Sequence, residues 1–113
     1  MIDEGALVVL CSVPTLGGHA ERIAHELLEA GVAACVNLVG PVRSLYRWQG
    51  ALKDDSEIQL VIKTRVGRYA ELESILLREH PYEVPEILAL PVTQGSSRYL
   101  EWVETQTRPG EIP

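Results

Sequence analysis

The chain has 113 residues, 46% of them hydrophobic, and ten basic against sixteen acidic side chains give a formal net charge of −6. That length carries one domain with one real core. An acidic balance without a basic block makes nucleic acid and anionic membrane poor partners and leaves cations easier to accommodate. The two cysteines, Cys11 and Cys35, show no CxxC spacing, which excludes a disulfide-stapled secreted scaffold. No apolar run has the length of a membrane-spanning helix.

The first residues, MIDEGALVVLCSV, place Asp3 and Glu4 where a secretory leader would carry Lys or Arg, so the expected location is the cytoplasm. The apolar run ALVVLCSV, residues 6–13, ends at Pro14 and reads as a strand buried on both faces. A turn, PTLGG, follows, with Thr15 as a helix-cap candidate. Ala20, Ile23, Ala24, Leu27 and Leu28 then recur at helical spacing opposite Glu21, Arg22, Glu26 and Glu29. Gly31 suits the helix stop.

Residues 33–64 read as two extended arms around Gln49-Gly50. In the second arm Ile58, Leu60 and Ile62 alternate with Gln59, Val61 and Lys63, the period of a half-buried strand. Each arm is about 15 residues, hence roughly 50 Å if straight, whereas a domain of this size is roughly 35 Å across. Two breaks offer relief, Gly40-Pro41 and Asp54-Asp55. Either the hairpin bends over its own core, or its tip, residues 42–53, leaves the domain and pairs with another subunit. Leu45, Tyr46, Trp48 and Leu52 lie in that tip and need cover.

Residues 68–80 form a second amphipathic helix with Tyr69, Leu72, Ile75 and Leu76 as its buried stripe, stopped by Pro81. Residues 87–90 read as a fourth strand between Pro85 and Pro91. Ser96 or Ser97 caps a short third helix holding Tyr99, Leu100, Trp102 and Val103, and residues 108–113 read as a frayed tail. The order β-α-β-β-α-β plus a helix predicts an α+β fold of ferredoxin-like, split β-α-β type, as a single domain with its core over residues 6–107.

That topology has a chemical consequence. Strands one and two run together and strands three and four run oppositely, so the second helix ends where the first strand ends. Cys11 and His80 then share one edge of the domain, with Cys35 at the opposite edge. A thiol and an imidazole suit copper or zinc, and Glu79 offers a neighbouring carboxylate. The competing reading makes Cys11 a small core residue and His80 a cation at a helix C-terminus. His80 to Glu86, HPYEVPE, is a polar loop stiffened by two prolines, of the kind that often carries function. No nucleophile, base and orienter set is visible, so a non-enzymatic role is expected.

Taken together, AACVN at 33–37, SLYRWQG at 44–50, Glu57 through Lys63-Thr64, HPYEVPEI at 80–87, LPV at 90–92 and YLEW at 99–102 resemble the CutA (CutA1) divalent-cation tolerance proteins over nearly the whole chain. The resemblance implies a ferredoxin-like subunit, similar to the PII signalling proteins, in a tight homotrimer whose long hairpins make contacts between subunits. It implies metal homeostasis, with copper or another divalent ion as the bound species. Carried over by position, the copper ligands fall on Cys11, Glu79 and His80; some members have histidine at both positions before the PY pair, and here the first is Glu79. The resemblance also implies a between-subunit pocket near Trp48, Glu57, Lys63, Tyr82 and Glu86. The alternative role is a PII-like regulator that binds a small ligand or a protein partner at its subunit clefts.

Overall fold

A computed structural model of the chain describes residues 5–109. The elements run β1 (Ala6–Pro14), α1 (His19–Glu29), β2 (Cys35–Trp48), β3 (Ala51–Arg65), a short 3-10 turn (Val66–Arg68), α2 (Tyr69–Glu79), β4 (Leu88–Pro91) and α3 (Ser97–Gln106). The expected cap at Thr15 is not one: Gly18, at φ 71°, occupies the cap position, and Thr15 Oγ1 instead lies 2.8 Å from Ser56 Oγ. Ser96 caps α3 in position but makes no side-chain cap bond. The tail expected from 108 onward lies, beyond residue 109, outside the described residues. No helix among the described residues is long and apolar enough to cross a membrane.

The four strands form one antiparallel sheet in the order β2-β3-β1-β4, the ferredoxin-like arrangement. Alternation decides what each face meets. Val9, Cys11 and Val13 of β1 and Leu60 and Ile62 of β3 point to one side, where Ile23 and Leu27 of α1 and Leu72 and Leu76 of α2 close over them. Thr64 continues this face and donates from its buried hydroxyl to Val32 O at 2.6 Å, which holds the α1–β2 connection down. On the other face stand Ser12, Glu57, Gln59, Lys63 and Arg65. There α3 covers one end only, through Arg65, which donates to Thr107 Oγ1 at 2.9 Å and to Thr107 O at 3.0 Å.

The β2–β3 ribbon closes at Gln49-Gly50, both with positive φ, as a tight hairpin turn favours. Its length outruns the globule: the longest dimension is 45 Å against 29 and 22 Å for the others. Leu45 and Leu52 at the tip are 68% and 77% exposed. Of the two expected breaks one is present. β3 runs unbroken through Asp54-Asp55, whereas β2 carries an irregularity between Val39 and Val42, at Gly40-Pro41. Val39 faces Gln59 and Val42 faces Glu57, so β2 spends one residue more than β3 there. One extra residue reverses which side chains share a face. Below the bulge Cys35, Asn37 and Val39 lie with Lys63, Val61 and Gln59. Above it Val42, Ser44, Tyr46 and Trp48 lie with Glu57, Asp55, Lys53 and Ala51.

Candidate functional site

Pro81 forces the residue before it out of the helical region. His80 accordingly ends α2 in an extended conformation at φ −77°, ψ 137°, and this turns its ring back toward β1. β4 pairs with β1 only up to Leu10, so the carbonyl of Ser12 is open at that edge and His80 Nε2 sits 2.8 Å from it. The other ring nitrogen, Nδ1, accepts the backbone N–H of Tyr82 at 3.1 Å. An acceptor nitrogen carries no proton, so Nε2 is the protonated one and donates to Ser12 O. Burial holds the His80 pKa below the usual imidazole value, against the Ser12 hydrogen bond and the field of Glu57, which raise it.

The loop that His80 launches runs along the open face of the sheet and meets the hairpin. Tyr82 donates to Glu57 Oε2 at 2.8 Å, and its ring lies 4.8 Å from that of His80. Glu86 receives longer contacts, 3.4 Å from Ser12 Oγ and 3.5 Å from Gln59 Nε2. Between loop and ribbon opens a cleft of about 900 Å³. Tyr46 and Trp48 of β2, Glu57 of β3, and Tyr82, Val84 and Glu86 of the loop line it, with Arg43 and Ser12 at its margins. Tyr46 also donates its hydroxyl to Asp55. Burial, then the hydrogen bond to Glu57, pushes the Tyr82 phenol well above its usual pKa. Such dimensions, apolar walls and a few convergent polar groups suit a small-molecule site.

Of the five residues the resemblance places near a between-subunit pocket, Trp48, Glu57, Tyr82 and Glu86 line one cleft within the chain. Lys63 does not. It stands six residues further along β3 than Glu57, about 20 Å away at strand rise, where its ammonium bonds Asn37 Oδ1 and lies 3.8 Å from Cys35 Sγ. Tyr46, Ser12 and Arg43 join the cleft although residue types give no reason to choose them. The bulge at Gly40-Pro41 is the signal that would have found Tyr46, because it sets Tyr46 on the Glu57 face.

Of the expected ligand trio, Cys11, Glu79 and His80, each side chain is engaged elsewhere in the fold. Cys11 is fully buried on the helix-covered face, and burial, with the fields of Glu86 and Glu57, pushes its thiol up to about 12. Both nitrogens of His80 are engaged. Glu79 accepts from Arg78 Nε at 2.9 Å and lies 3.7 Å from Arg22 Nε. These residues as folded do not fit a bound metal ion, and no group of three or more His, Cys, Asp or Glu among the described residues could hold one.

The CutA1 divalent ion tolerance protein family model matches residues 7–106. The chain is 44% identical over 103 residues to the divalent-cation tolerance protein CutA of Pectobacterium atrosepticum, covering 91% of this chain and 93% of that one. It is 40% identical to the chloroplastic CutA protein of Arabidopsis thaliana, covering 91% of this chain and 56% of that longer one. Among solved structures, the divalent cation tolerance protein Cut A1 of Thermus thermophilus superposes with a TM-score of 0.87 at 42% identity, covering 91% of this chain and 99% of the other. With the family model matched over residues 7–106 and relatives more than 40% identical over nine-tenths of its length, the chain belongs to the CutA1 divalent ion tolerance family.

Proposed function

We propose that this chain is a cytoplasmic homotrimer that supports divalent-cation tolerance as a PII-like, non-enzymatic binding module, its working surface the cleft between ribbon and loop. The observation that carries this reading is that Trp48, Glu57, Tyr82 and Glu86 converge on one cleft, while Cys11, Glu79 and His80 are each committed elsewhere. The exposed Leu45 and Leu52 of a ribbon that outruns its globule favour self-association. A half-buried free thiol at Cys35 suits a reducing compartment.

A thermal-shift screen of small molecules against metal-free protein tests the cleft, since a ligand that binds only the native state raises the midpoint. Stabilisation that disappears in Trp48→Ala is expected. A copper titration of the parent, Cys11→Ser and His80→Ala decides the competing reading: tight copper binding lost in both variants would restore the Cys11–His80 site and displace this one. Sedimentation reads the assembly, with three times the 12.5 kDa chain mass expected. A particle of single-chain mass at micromolar concentration would end the trimer proposal, and cell fractionation checks the compartment.

A further inference from the structure

We draw no further inference here: the strongest candidate, the side-chain cluster of Cys35, Asn37, Lys63 and Tyr99 where α3 meets the open sheet face, rests on a lone cysteine on a face that the trimer proposed above would cover, with nothing beside it among the described residues that points to a ligand.

Discussion

Tyr82 donates its hydroxyl to Glu57 Oε2 at 2.8 Å, and that bond joins the Pro81–Glu86 loop to the middle of β3. The two residues are brought together from opposite directions. Pro81 ends α2 and sends the loop back past β1, with His80 pinned to Ser12. The strand alternation of β3 puts Glu57 on the face without α1 and α2. Neither residue would have a reason to be polar if the other were absent: a nearly buried carboxylate needs a donor, and a part-buried phenol needs an acceptor.

Replacing the donor should therefore cost more than removing an oxygen. Tyr82→Phe takes from the nearly buried Glu57 the donor to its Oε2, which is expected to lower stability by about 1–3 kcal/mol. Glu57→Gln keeps an acceptor and should cost less. Urea denaturation of both variants checks the order, and a Tyr82→Phe protein as stable as the parent would show that the bond contributes nothing net.

The bulge makes a second demand. A Cβ on Gly40 would stand 3.0 Å from the Glu57 carbonyl oxygen and 3.0 Å from Ile58 Cδ1, at a φ of +155°. Gly40→Ala must push the backbone of the residue that anchors the cleft, so a loss of about 1–3 kcal/mol is expected together with altered chemical shifts for Tyr46 and Trp48. Gly50→Ala is the contrast, since nothing lies within 4 Å of its Cβ position at φ +82°. It should cost about 1 kcal/mol from the backbone alone and leave the cleft resonances in place.

His80 gives a pH dependence whose sign follows from its surroundings. Burial depresses its pKa in the folded chain below the ordinary 6.5, and the Ser12 carbonyl, Glu57 and His19 act on it from the neighbouring elements. The unfolded chain then binds the proton more readily, so stability rises with pH through this window. The contribution is complete above 6.5 and is lost as pH falls through the lower folded value, where protonated Nδ1 can no longer accept from Tyr82 N–H. His80→Gln keeps a donor and an acceptor but does not titrate. Thermal midpoints between about pH 5 and 8 should show a shallower acid slope in the variant; an unchanged slope would assign it to another group.

Much of this architecture is legible in the residues alone. The apolar run closed by Pro14 and the Ile58-Leu60-Ile62 alternation mark β1 and β3, and Pro81 marks the end of α2, because each acts through the backbone of its own segment. Trp48, Glu57, Tyr82 and Glu86 are a different case: the resemblance to the CutA proteins named them together, and their own sequence pattern did not. Lys63 shares the strand face of Glu57 but stands six residues along β3 from it, so within one chain it falls outside the cleft. Ser12 is invisible to pattern reading because its place depends on where β4 stops pairing, and Tyr46 is found only by following the one-residue slip at Gly40-Pro41 through to its face. The state of Cys11 and His80 is equally hidden: topology puts them near one edge, but only packing decides that the thiol is covered and both imidazole nitrogens are used.

The two cysteines should consequently differ in chemistry. Cys11 is fully buried, with its thiol pushed up to about 12, while Cys35 is partly exposed beside Lys63. Iodoacetamide at neutral pH is expected to modify Cys35 and spare Cys11 until the chain unfolds, as mass spectrometry of the digested protein would reveal. Because the folded pKa of Cys11 is raised from 9.0, its stabilising share is complete below that value and is lost as pH rises toward about 12. Cys11→Ser puts a hydroxyl among Val9, Val13 and Leu60 and should cost about 1–3 kcal/mol. Rapid labelling of native Cys11 would contradict the buried placement.

The covered end of the open face offers the last prediction. Arg65 is 7% exposed, and burial pulls its pKa down; its guanidinium donates to Thr107 Oγ1 and O. Thr107 Oγ1 in turn donates to Val103 O at 2.8 Å, within the last turn of α3. One hydroxyl thus both closes the helix and accepts from a buried cation. Thr107→Val removes that acceptor at nearly constant volume and should cost about 1–3 kcal/mol, whereas Thr107→Ser keeps it and should cost less. Hydrogen exchange locates the effect: amides of α3 should exchange faster in Thr107→Val while those of β1 and β3 hold. Equal behaviour of the valine and serine variants would mean that packing of Val103, and not the Arg65 clamp, fastens α3 to the sheet.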